Sequence, residues 1–291
     1  MAASIQKVVN EFLKHIRQSN VASQATCNNY RFYLLRFIEW GGIKTIYDIS
    51  NNCIEDFRMY LSGIRNQRGQ LMKPITQNYH LIAIRALLDY CKQQGIDVLD
   101  MRTIQLSKIK RSKKRTPQKT DLERLLEAPL HTNNYEVLQK RDKAILELLF
   151  TTGLKVSELL ALRKEQIHFF KDDLQIRGMG NTIRTVPLTN QAKCWIKKYL
   201  QKRSDNQSAL FIRHDKAKQK QQKIADANLT PRTIQRIVKK YVKKAGLDAT
   251  ITPESLRRSF AAELIKQGND MKAVKDALGH ASLTTTQYLY K

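Results

Sequence analysis

Acidic residues are scarce in this chain. Asp and Glu number 26 against 52 Lys and Arg in 291 residues, a formal charge of +26 with a pI near 10.0. Such an excess displaces counterions from a phosphate backbone, so binding to nucleic acid should weaken steeply with salt. A basic protein kept soluble by repulsion, or held on an anionic membrane, is the alternative. The charge is interleaved with a folded apolar pattern rather than gathered in a tail, which favours nucleic acid. Cysteine is also thin: Cys27, Cys53, Cys91 and Cys194 form no C-x-x-C pair. That excludes zinc spacing and argues against a disulfide framework, leaving thiols suited to a reducing cytoplasm. Long apolar runs are missing, and no segment approaches the roughly twenty residues of a membrane span. Lys7 follows only a short apolar stretch, so no signal peptide is expected. There is no internal repeat and no aromatic platform of the kind that binds RNA.

What is present suggests two domains. Residues 1–106 carry four apolar stripes at helical spacing: Ile5, Val8, Val9, Phe12, Leu13 and Ile16; Tyr30, Tyr33, Leu34, Phe37 and Ile38; Ile54, Phe57 and Leu61; then Tyr79, Ile82, Ala83, Ala86, Leu87, Tyr90 and Cys91. A bundle of four or five helices follows, with the stripe aromatics in its core. Residues 107–119, SKIKRSKKRTPQK, hold seven Lys or Arg in thirteen positions and cannot bury themselves. They read as a linker whose Lys108, Lys110, Arg111, Lys113, Lys114 and Arg115 lie along DNA phosphates. Residues 120–291 form a second domain, mostly α. Strands at 174–178 and 183–188 flank a turn at Gly178-Met179-Gly180-Asn181. Helices are expected at 121–126, 137–150, 191–203, 231–245, 254–267 and 271–278.

Four segments in order carry a family pattern. They are RDKAILELLFTTGLKVSELLAL (141–162), IRGMGNTIRTVPL (176–188), TPRTIQRIVKKYVKKAGL (230–247) and ITPESLRRSFAAELIKQGNDMKAVKDALGHASLTTTQYLYK (251–291). Together they resemble the tyrosine recombinases of the phage integrase family, Xer-like in layout, and the resemblance covers nearly the whole chain. It implies a mainly α fold: a SAM-like helical core-binding domain, a basic linker, and an α-rich catalytic domain with a small antiparallel β-sheet, closed as a C-shaped clamp on double-stranded DNA. Family chemistry conserves bond energy in a 3′-phosphotyrosine, so no cofactor or metal is expected. The partners implied are duplex DNA and a second copy of this chain or an active recombinase on DNA, with no membrane. The location implied is the cytoplasm, prokaryotic or nucleoid-associated.

Attack of a tyrosine oxygen on a phosphodiester builds negative charge on the non-bridging oxygens, which paired guanidinium donors suit. The family also uses a hairpin lysine to protonate the leaving 5′ oxygen, and histidines to move protons and hold the phosphate. Arg257 and His280 match. Lys155 stands at the first arginine's place and keeps the charge without the planar fork. Met179 replaces the hairpin lysine and can donate no proton. Glu254 replaces a histidine, one helical turn before Arg257, a spacing suited to an ion pair that partly neutralises the arginine. Leu289 falls at the nucleophile's place, between Tyr288 and Tyr290. Tyr288 is the better candidate and Tyr290 the second, with packing aromatics at a helix end as the other reading of both. Further DNA contacts are assigned to Arg177, Arg184, Arg232, Arg236, Lys239 and Arg258.

The function expected is therefore site-specific recombination or integration, with strand cleavage lost or weak because several catalytic positions are substituted. The alternative is a transcriptional or architectural DNA-binding protein that reads the major groove with the basic stretch 232–244.

Overall fold

The computed structural model describes residues 4–19, 22–109, 116–178, 182–214 and 228–287. The expectations placed on Lys110, Arg111, Lys113, Lys114, Arg115, Met179, Tyr288, Leu289 and Tyr290 lie outside these. The chain divides into two compact units, Met1–Arg111 and Ser112–Lys291. Both are helical, and among the described residues the sheet is a single antiparallel pair of strands. Among the described residues no helix is long and apolar enough to cross a membrane.

The first unit packs α1 (Ile5–Gln18), α2 (Gln24–Gly41), α3 (Asn51–Gly63) and α4 (Pro74–Gln93) around one apolar core. Ser23 and Ser50 start α2 and α3, their hydroxyls accepting the N–H of Thr26 and Cys53. Pro74 opens α4, where its missing N–H costs nothing. The core face of α4 differs from the sequence reading. Tyr79, expected inside, is 46% exposed, while His80, Leu81, Ile84 and Leu88 are buried. The reason is His80: its ring lies 4.4 Å from that of Tyr33, and Nδ1 sits 2.9 Å from the Thr76 carbonyl. A polar side chain with an internal partner takes a core position that apolar periodicity does not mark.

The second unit is built on α6 (Glu136–Thr152), which packs against α8 (Asn190–Leu200) and α10 (Pro253–Lys266). Ala144, Ile145, Leu146, Leu148 and Leu149 are all fully enclosed, so the helix is apolar around most of its circumference there. Each such Leu or Ile stabilises the fold by about 1.5–3 kcal/mol relative to an exposed position. The charges on α6 are paired in place. Arg141 holds Asp142, whose other oxygen accepts the Tyr241 hydroxyl at 2.7 Å. Lys143 bridges Glu127 at 2.6 Å and Glu147 at 2.9 Å. Around this axis lie α5 (Lys119–Glu127), α7 (Val156–Ala161), β1 (Asp173–Arg177), β2 (Ile183–Pro187), α9 (Pro231–Lys244), α11 (Met271–Leu278) and α12 (Leu283–Gln287). The strands pair from Asp173↔Pro187 to Arg177↔Ile183, which puts Ile176 opposite Arg184.

Candidate active site

Two glycines set the geometry of the site. Gly153 caps α6 at φ 61°, and an added Cβ would fall 2.3 Å from the Phe260 ring. Gly279 caps α11 at φ 64°, and a Cβ there would meet the Arg184 guanidinium at 2.9 Å. Both positions need left-handed backbone and tolerate no side chain. Each cap delivers carbonyls that a helix end leaves without a donor.

Arg257, on α10, takes those carbonyls. One terminal nitrogen donates to the Gly153 oxygen and the other to the Leu278 oxygen. The residue is 1% exposed. Burial works against its charge and draws its pKa down, while Glu254 and Glu158 support the charged form. The negative ends of two helix dipoles lie at the same carbonyls and add to that support. Lys155 caps the start of α7, and its ammonium reaches toward the Gly279 oxygen at 3.4 Å. His280 follows immediately, with Nδ1 3.0 Å from the Thr286 hydroxyl. Its imidazole is pushed down to about 4, first by burial and then by the charges of Arg257, Lys155 and Arg184. It is therefore neutral near pH 7. The structure thus brings Lys155, Arg257 and His280 together on the three-residue stretch 278–280.

Glu158 ties this cluster to the hairpin. It accepts the Lys155 main-chain N–H at 2.8 Å and a two-pronged contact from Arg184 at 2.8 and 2.7 Å. Arg184 also donates Nε–H to the Ala277 carbonyl at 2.9 Å. Burial alone would raise the Glu158 carboxyl; the Arg184 fork and the Lys155 N–H outweigh it and hold the group ionised, below its ordinary value. Lys155, Arg184 and Arg257 against Glu158 leave the cluster net positive, the sign that suits a phosphodiester. Among the described residues no group of three or more His, Cys, Asp or Glu is arranged to hold a metal ion.

Three expectations change. Glu254 does not pair with Arg257: it stays exposed on the first turn of α10, and the carboxylate nearest the arginine is Glu158, at 4.0 Å. The cause is that Arg257 turns inward to its two carbonyls. Arg184, assigned to DNA, is instead committed to Glu158 and Ala277, with its side chain 11% exposed. Arg258, also assigned to DNA, is 5% exposed and donates to Ser255 Oγ at 3.0 Å, while its Nε has no partner among the described residues. Lys108, Arg177, Arg232, Arg236 and Lys239 are exposed. Arg236 also lines a cleft of about 420 Å³ with Lys240, part of the basic stretch 232–244, and with Arg213, which sequence reasoning did not single out. Glu158 was legible as part of a motif, and the three-residue step from Lys155 is a capping spacing. Nothing local marks its tie to Arg184.

Residues 115–291 match the model of the phage integrase family. The chain is 32% identical over 293 residues to tyrosine recombinase XerC of Alcanivorax borkumensis, covering 97% of this chain and 88% of the relative. It is 31% identical over 285 residues to tyrosine recombinase XerA of Pyrococcus furiosus, with the same coverage of each. The fold matches XerH recombinase bound to its difH substrate before cleavage, with a TM-score of 0.69, 21% identity, and 97% of this chain on 81% of that one. It also matches a lambda integrase dimer bound to a core site, with a TM-score of 0.69, 16% identity, and 100% of this chain on 78% of that one.

Proposed function

Because the chain belongs to the phage integrase family of tyrosine recombinases, we propose that it acts in site-specific DNA recombination, with a reduced rate of strand cleavage. It binds duplex DNA through both units and the basic linker, as a pair of copies or beside an active relative. Exposed Lys108, Arg177, Arg232, Arg236 and Lys239 support phosphate contact, and affinity falls steeply with salt. The observation that carries the reading is the meeting of Lys155, Arg257 and His280 at one net-positive pocket. In this reading the pocket holds the scissile phosphate, and Tyr288 attacks it. Lysine at 155 gives a single donor where a fork would span two oxygens, and Met179 gives none, so charge build-up is met less fully. The relatives are recombinases, and nothing in them supports a transcriptional regulator.

A nicked suicide duplex carrying the chain's own site tests this, with an SDS-resistant protein–DNA adduct as the readout. An adduct is expected, lost with Tyr288→Phe and kept with Tyr290→Phe. No adduct, under conditions where an active relative forms one, would reduce the protein to a DNA binder.

A further inference from the structure

A tyrosine that displaces a 5′ oxygen needs an acid to protonate the leaving group, and the hairpin position that resembles the family's donor holds Met179. The described residues of the pocket narrow the choice. Glu158 is ionised and occupied by the Arg184 fork and the Lys155 N–H. Arg184 and Arg257 are too weakly acidic to release a proton, and both are fixed on internal acceptors. His280 is neutral and carries no surplus proton.

Lys155 differs on each count. It is exposed, forms no ion pair with a carboxylate among the described residues, and rests on the Gly279 carbonyl at a distance long for a hydrogen bond. Its flexible stem lets the ammonium leave that carbonyl for a substrate oxygen. We infer that Lys155 is the general acid of strand cleavage in this protein, a role beyond charge complementarity at a substituted arginine position. The inference rests on the recombinase reading above. Partial desolvation of the ammonium, then the nearby Arg257 charge, draw its pKa below the ordinary lysine value, a shift in the direction that eases proton release.

The step balances within the protein and DNA. The Tyr288 oxygen forms a bond to phosphorus, and its proton passes to Nε2 of neutral His280, in the tautomer whose Nδ1–H donates to the Thr286 hydroxyl. The bond from phosphorus to the 5′ oxygen breaks, and the electron pair left on that oxygen takes a proton from Lys155 Nζ, leaving an amine. Rejoining reverses both transfers.

Replacing the bridging 5′ oxygen of the suicide duplex with sulfur tests the role, because a thiolate leaves without being protonated. With oxygen, Lys155→Ala should form adduct about 10²–10⁴-fold more slowly than wild type, the usual span for a lost general acid. With sulfur, the deficit should shrink by about tenfold or more, since no proton transfer remains to be lost and only the missing charge is felt. Lys155→Arg keeps the charge but releases no proton easily, so it should be slow on oxygen like the alanine variant and match wild type on sulfur. Equal slowing of Lys155→Ala on oxygen and sulfur would overturn the inference and leave the lysine as a charge stabiliser. An arginine variant faster than wild type on oxygen would overturn it too. Wild type without an adduct on either substrate would sink the recombinase reading itself, and this inference with it.

Discussion

The two units keep their interiors differently. Among the described residues the first buries two polar side chains, Asn78 and His80, and no formal charge. The second buries Arg141, Asp142, Lys143, Glu147, Glu158, Arg257 and Arg258. An apolar interior is tolerant, because a swap of similar volume rarely costs more than about 1.5 kcal/mol. A charged interior is not, because a buried ion that loses its partner keeps its full desolvation cost. The contrast matches the work proposed for each unit. The first has only to present a surface to DNA, while the second must hold cations at fixed points before any substrate arrives.

The chain has one tryptophan in each unit, Trp40 and Trp195, so the variants Trp40→Phe and Trp195→Phe let each unit's unfolding be read by itself. Arg257→Met should have the largest effect. It strips the donors from the Gly153 and Leu278 carbonyls and should cost the second unit about 3 kcal/mol, seen as a shifted urea midpoint of Trp195 fluorescence. Ile84→Leu in the first unit should cost less than about 1.5 kcal/mol by Trp40. Equal costs would erase the contrast.

Acid should separate the units less sharply. His214 and His280 both titrate at about 4 in the folded protein, against an ordinary value of 6.5, chiefly through burial. The unfolded chain therefore takes up protons first as the pH falls, and the second unit loses stability between about pH 6.5 and about 4. In the first unit His80 is lowered in the same direction by burial. The Trp195 transition should fall further than the Trp40 transition across this window, and His214→Gln should flatten its slope. The smallest effect is expected from Arg258→Met. Among the described residues this arginine has one hydrogen bond and a buried Nε without a partner, so an apolar replacement should leave stability unchanged or raise it by about 1 kcal/mol. A loss like that of Arg257→Met would mean that Arg258 has a structural role its contacts do not reveal.

Much of this was legible from residue spacing. The helix at Met271–Leu278 has the bounds that periodicity gives, and both strands lie within a residue of the alternation that marks them. The motifs place Arg257 and His280 near each other before any coordinates are seen. What spacing could not carry has physical causes. The helix Val156–Ala161 is under two turns long, too short for a periodic signal. Arg258 follows a buried residue on the same helix, where an exposed position is the ordinary expectation for arginine. Arg184 and Glu158 are 26 positions apart and meet only because the hairpin folds back on the start of α7. No local pattern encodes that meeting.

The stretch Leu278–Gly279–His280 gives one carbonyl to Arg257, the next to Lys155, and then its own imidazole. Three reactive groups thus share a single peptide segment as their common mount. They cannot be tuned one at a time: turning either peptide plane re-aims two or three of them together. A change at any of these positions therefore acts through the others, and Lys155→Arg alone would meet carbonyls and an imidazole that are set for a lysine.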